Sequence, residues 1–418
     1  MTGSSLPLLK APDSTLSLLR EGYDFIARRC DRLGTDGFRT RLMLRPVACL
    51  RGPRAAQAFY APGRMTRRGA MPGSVLALLQ DKGSVQLLDD AAHRHRRGLF
   101  LRLMTPERLE RAARILREEW QAARMGGREI VLAEEIGPIL TRTALRWCGI
   151  ETADAAPRLR CEEFEAMIGG AALVGPRHWR ARMLRRRSEA WAREVIRAAR
   201  AGAAPADSPL AHVAQHRDPS GLALPRAVAA VELLNLLRPI VAVGRFIVFS
   251  AHAIVTRPEA LAALPDTPEA LDWWGDEVRR LYPFFPVIGG RVRTGFDFDG
   301  HGFGPGDWVL LDLFGTDTDP DAWPDPLRFD PMRHERARDP FAFVPQGAGS
   351  MEGGHRCPGE ALTAKLVAEA TALLRASRPE APPQDLGIPH DRVPAAPVSG
   401  MRLRLQEPLP PAPVEWRH

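Results

Sequence analysis

Residues 343–370 read FVPQGAGSMEGGHRCPGEALTAKLVAEA, and this stretch decides the fold. Gly347, Gly349, Gly353 and Gly354 strip side chains from a loop, so its backbone can approach a flat ligand closely. Pro358 suits the first position of a helix, which predicts a helix over 358–376 with Cys357 at or just before its start. There the free amides and the positive end of the helix dipole favour a thiolate. Zinc fits poorly, because His355 is the only nearby partner and no second ligand pair exists. The plain alternative is a reactive or structural cysteine after a flexible loop.

A thiolate is also the ligand that pushes electron density onto haem iron and favours O–O cleavage. The other cysteines, Cys30, Cys49, Cys148 and Cys161, form no CxxC pair and read as inert fillers. Five widely spaced cysteines argue for a reducing compartment, and the polar amino terminus lacks the features of a signal peptide. The expected location is cytoplasmic. With 418 residues and 45% hydrophobic content, the chain can bury a sizeable core. The net charge of +8 is carried by arginine, with lysine only at 10, 82 and 365, scattered along the length. That pattern argues against nucleic acid as a partner. The most apolar stretch, 227–255, is interrupted by Glu232, Asn235, Arg238-Pro239 and Arg245, so no membrane span is expected.

Helical periodicity covers 106–125, 128–150, 157–170, 177–200, 224–256 and 267–282 besides the cysteine helix. Within 38–60, alternation ahead of Pro53 predicts a hairpin or strand pair, and 293–313 predicts a second hairpin around Asp-Gly. The Pro- and Asp-rich run 317–345 reads as an irregular meander, and 203–225 and 380–398 as surface loops. A single domain over 1–418, mainly α, is the expectation.

Two elements lie upstream of the cysteine loop. Glu277 and Arg280, in DEVRRLYPFFP, share one helix face, and Arg333, in FDPMRH, follows the meander and can complete a Glu–Arg–Arg cluster. ExxR, then a Pro-rich arginine motif, then a Phe- and Gly-bearing loop ending in Cys-x-Gly resembles the cytochrome P450 superfamily. Here several extra residues precede Cys357. The resemblance spans essentially the whole chain and implies a triangular prism of helices with small β-sheets, and haem b ligated by Cys357. It assigns Glu277, Arg280 and Arg333 to structure, not chemistry.

Monooxygenases of this superfamily carry an acid followed by Thr on the long apolar helix. This chain has Arg238-Pro239 there, in LLNLLRPIVAVGRFIVFSAHA. Pro239 lacks an amide hydrogen and should kink the helix, leaving the Asn235 carbonyl without its donor. Arg238 places a cation on an apolar face, where it wants a carboxylate. Glu232 is six residues back and off the face. Either the carboxylate arrives with the substrate, or Arg238 pairs with a distant acid or reaches water. LLRPIVAV, HRCPGE, FGTDTDPDAWPDPLRFDP, GPRHWRARMLRRRSEAW and VQLLDDAAHRHRRGLFLRLM are together similar to the bacterial fatty-acid peroxygenase branch.

That branch implies hydrogen peroxide as co-substrate, a fatty-acid substrate anchored by Arg238, and no obligatory redox partner. The substrate carboxylate replaces the missing acid as general acid–base, giving 2- or 3-hydroxy acids. Some members decarboxylate the acid to a terminal alkene. Gln86 stands where the alkene-forming relative carries His, which favours hydroxylation here. Arg238, Gln86 and Pro239 are thus the expected catalytic set. Leu79, Phe284 and Phe285 line the substrate pocket, or else pack in the core. His93, Arg97, Arg291 and His355 match propionate contacts, although HRHRR also reads as a basic surface patch. Gln346, ahead of the loop, matches a family residue without a clear role. The competing readings are alkene formation, a monooxygenase fed by redox partners, and a haem sensor or fatty-acid binder without turnover.

Overall fold

Helices dominate the structure, a computed structural model that describes residues 5–79, 83–151, 156–173, 175–336 and 338–406. The largest core forms where Leu132–Cys148, Arg226–Ala242, Gly244–Thr256 and Glu360–Ala376 bring apolar faces together around Trp147, Phe164, Phe246, Phe249 and Trp274. Helices packed beside small β-sheets are the mainly α architecture that the sequence implied. Arg238 is buried on the second of these helices, Arg226–Ala242.

Beside the helices lies a five-stranded sheet whose spatial order is Gly37–Leu42, Arg45–Leu50, Trp308–Asp312, Val287–Val292 and Met65–Thr66. The first two form the expected hairpin, in register from Gly37 opposite Leu50 to Leu42 opposite Arg45. Its turn residues, Met43 and Leu44, both have positive φ, as a two-residue hairpin turn demands. Their amides are bonded by Thr15 and Asp13, which offsets the strain. Pro53 begins a helix, Pro53–Tyr60, and the strand pair ends before it, at Leu50.

Other boundaries also differ from expectation. Phe296–Phe298 and His301–Phe303 do form a hairpin, but Trp308–Asp312 leaves it to pair with Val287–Val292 and Arg45–Leu50. Its five residues are all buried, so they belong in a central strand. Within the supposed loop 203–225, Pro209–Gln215 is a helix capped by the Ser208 hydroxyl and inserts Leu210 and Val213 into the core. The apolar segment Arg226–Thr256 holds an 18-residue window with a mean hydropathy of 1.7 and meets the length and composition of a membrane span despite its charges. Its most apolar window is 78% buried within the protein, as a core helix is. The helix runs through Pro239, and its interruption falls at Val243, one turn later than the proline.

Candidate functional site

The cysteine loop leaves Val344 in the core and enters the helix Glu360–Ala376. That helix begins two residues later than the sequence suggested: Gly359 caps it, and Pro358 lies outside. Cys357 is tied down by its own amide, which donates to the Gln346 carbonyl at 3.0 Å. The Gln346 side-chain amide in turn donates to Thr363 at 3.1 Å, so Gln346 staples the loop to the helix. Burial pushes the Cys357 thiol above its ordinary value; the Gly359 amide and the charges of Arg97 and Arg279 pull the other way without overcoming it.

The extra residues before Cys357 fold into a tight turn, in which the Gly354 amide donates to the Ser350 carbonyl at 2.9 Å. Arg97 clamps this turn by donating to the Met351 carbonyl. At Gly347, with φ of 90°, an added Cβ would lie 2.6 Å from the Tyr60 hydroxyl, so only glycine fits.

Four basic side chains converge behind the loop. His93 stacks on His355 with centroids 4.1 Å apart, and Arg97 lies one turn from His93 on the helix Asp90–Leu101. Arg67 is the fourth and was not anticipated. It is buried, donates to the Gly289 carbonyl at 2.7 Å, and lies against the rings of Phe59 and Tyr60. Its charge acts on both histidines. Burial lowers His93 to about 4 and His355 to about 2, with neighbouring arginines adding to the effect. A buried group of two arginines and two histidines is chemistry for an anion.

Arg291 is not brought into this group. Its guanidinium donates to the carbonyls of Gly69 and Gly306 at 3.1 Å and lies over Trp308, with Arg45 and Asp307 as its charged neighbours. Opposite Thr66 in the sheet, Arg291 is one residue out of register with Arg67, which takes the inward role. Sequence reasoning had a signal for Arg67, the alternation of Met65–Thr66, but no means of telling which arginine faced inward.

The haem implied by the resemblance fits these residues. Cys357 would supply one sulfur ligand, and among the described residues no cluster of His, Cys, Asp or Glu can enclose a metal ion by itself. Arg67, His93, Arg97 and His355 would hold the carboxylate edge of the macrocycle.

Arg238 sits on the helix Arg226–Ala242, buried, and donates to the carbonyls of Leu78 at 3.0 Å and Leu79 at 2.5 Å and to the Asn235 side chain at 3.3 Å. Pro239 is exposed in the otherwise buried run 229–241, so the helix borders a cleft there. Gln86, in a single 3-10 turn, accepts from the Asn235 amide at 3.3 Å. Asn235 also donates to Glu232 at 2.9 Å. Glu232, Asn235 and Arg238 are spaced three apart, so an acid that seemed off the face reaches Arg238 through one intermediary. Phe284 packs on Phe246 and Phe285, with centroids 4.8 and 4.5 Å away, and Phe285 is 43% exposed. Leu79 is half-buried against the main core. The Glu–Arg–Arg cluster forms as expected. Arg280 grips Glu277 with two bonds of 2.7 and 2.8 Å, Arg333 lies 3.2 Å away, and His334 adds a bond of 2.8 Å.

The family profile for Cytochrome P450 matches residues 269–370. Among solved structures, a mutant of cytochrome P450SP alpha (CYP152B1) is 40% identical, with a TM-score of 0.90, covering 94% of this chain and 98% of that one. Cytochrome P450EX alpha (CYP152N1) with myristic acid is 36% identical, with a TM-score of 0.92 and coverage of 96% and 99%. A variant of cytochrome P450 OleT in complex with arachidonic acid is 28% identical, with a TM-score of 0.93 and coverage of 98% and 100%. A curated relative, cytochrome P450 4A11 of Homo sapiens, is 36% identical over 136 residues; the match takes in 31% of this chain and 25% of that protein's length.

Proposed function

The chain belongs to the cytochrome P450 superfamily and to its CYP152 fatty-acid peroxygenase branch, and from that premise we propose that it hydroxylates fatty acids at carbon 2 or 3 with hydrogen peroxide. It is a haem-thiolate oxidoreductase, and its fatty-acid substrate class is supported by the acids bound in two of its structural neighbours. Balanced, RH and hydrogen peroxide give ROH and water.

The observation that carries the reading is the placement of Arg238. Backbone carbonyls of 78 and 79 and the Asn235 amide orient its guanidinium from behind, on a helix that borders a cleft at the next residue. A guanidinium placed beside that cleft is the charge complement of a carboxylate. The acid is then held where monooxygenases keep a protein acid. Bound haem supplies peroxide cleavage and oxygen transfer to carbon. Gln86, fixed by Asn235, shapes the pocket without relaying a proton as an imidazole would, which favours hydroxylation over alkene formation. No redox partner is required for this chemistry.

The test is direct. Haem-loaded protein is mixed with dodecanoic, tetradecanoic or octadecanoic acid and hydrogen peroxide, and products are identified by mass spectrometry. Hydroxy acids are expected. A terminal alkene as the main product would move the protein to the decarboxylating side, and turnover only with reductase and NADPH would overturn the peroxide reading.

A further inference from the structure

Behind Arg238 lies a chain of polar groups that the anchoring reading does not use. Glu232 is fully buried on the same helix, three residues before Asn235. One carboxylate oxygen accepts from the Val85 amide and from Arg96, each at 2.9 Å. The other accepts from the Asn235 side-chain amide at 2.9 Å. A carboxylate in this ion pair only accepts, so it forces Asn235 to present its NH2 group backward. The Asn235 oxygen is then left facing Arg238, and the same NH2 group reaches Gln86. Val85 and Gln86 belong to one turn, so Glu232 holds that turn both by its backbone and through Asn235.

We propose that Glu232 is the positioning residue of the acid-binding site, fixing the amide polarity of Asn235 and thereby the aim of Arg238 and the place of Gln86. It touches neither substrate nor cofactor. The inference rests on the reading that Arg238 holds the substrate carboxylate, and deepens it.

The replacement Glu232→Gln separates polarity from shape. Its single oxygen stays with the two donors, Val85 and Arg96, so its NH2 group meets Asn235. Asn235 must then turn its oxygen back and point NH2 at Arg238, donor against donor. Arg238 is pushed from its position while chain packing is kept.

Calorimetry on the haem-loaded protein compares dodecanoic acid with dodecanol, which has the same chain and no carboxylate. Glu232→Gln should weaken the acid on the order of tenfold and leave the alcohol unchanged. KM for the acid should rise while kcat at saturation changes much less. Asn235→Ala should reproduce the selective loss, and adding Glu232→Gln to it should cost nothing more. Equal losses for acid and alcohol would overturn the proposal in favour of a merely structural glutamate, as would unaltered acid binding in both variants. A wild-type protein that binds acid and alcohol alike overturns the anchoring reading and this inference with it. Should Glu232→Gln fail to fold, Asn235→Ala decides by the same comparison.

Discussion

Glu277 and Glu232 are both fully buried glutamates on helices, and their surroundings drive them in opposite directions. Burial alone raises either acid. At Glu277 the bonds from Arg280 and His334 overcome it and hold the carboxyl at about 2. At Glu232 one arginine, one amide side chain and one backbone N–H do not suffice, and the carboxyl stays above its ordinary 4.5. The first is a closed structural cluster: Arg280 also donates to the carbonyls of Asp317, Pro326 and Arg328, pinning the meander to the helix. The second is a directional network ending at Arg238, the proposed acid anchor. Saturating a buried acid with cations makes structure, whereas pairing it with amides makes orientation.

The largest effect expected is that of Glu277→Ala. It leaves the buried Arg280, and Arg333 beside it, without their carboxylate, and should destabilise the protein by about 3–5 kcal/mol, read from denaturant unfolding. A cost below about 1 kcal/mol would show that the cluster is not what holds the meander. Arg238→Ala comes next. It should lower kcat/KM for peroxide-driven fatty-acid oxidation by about a hundredfold, with a smaller fall in thermal midpoint than Glu277→Ala. Retained activity would break the distinction between a structural and a ligand-facing arginine.

The pH dependence sharpens the comparison further. Glu277 has a depressed folded value, so its contribution is present above about 4.5 and lost as pH falls toward about 2; it amounts to on the order of 3 kcal/mol. Glu232 has a raised value, so its contribution is present below 4.5 and lost as pH climbs through the folded value. The penalty of Glu277→Gln should therefore grow from pH 3 to pH 7, and that of Glu232→Gln should shrink. Unfolding free energies across that range decide it, and parallel trends would refute the contrast. The smallest effect belongs to a third glutamate, Glu194, paired with Arg197 at the surface. Arg197→Ala should leave the thermal midpoint unchanged, because solvent screens such pairs.

Much of this was legible in the sequence. Helix Pro157–Gly170 matches the predicted span, and Pro106–Ala122, Pro176–Ala198 and Pro268–Leu281 lie within a few residues of theirs. Apolar spacing and early prolines are local signals. The supposed loop at 203–225 failed because its prolines masked a capped seven-residue helix whose apolar face exists only against the core. Trp308–Asp312 was assigned to the wrong partner because alternation reports a strand and not its neighbour. Arg67 was missed for the same reason.

Residue type and spacing by themselves determined the ligand cysteine, the Glu277–Arg280 face and the arginine–proline step, since each needs only neighbours one helical turn away. Which arginine joins His93 and His355, and how Glu232 comes to govern Arg238, was decided by the tertiary structure alone. Those contacts join residues such as 85, 96 and 232, far apart along the chain. Burial, which gives them their strength, exists only once the helices have packed.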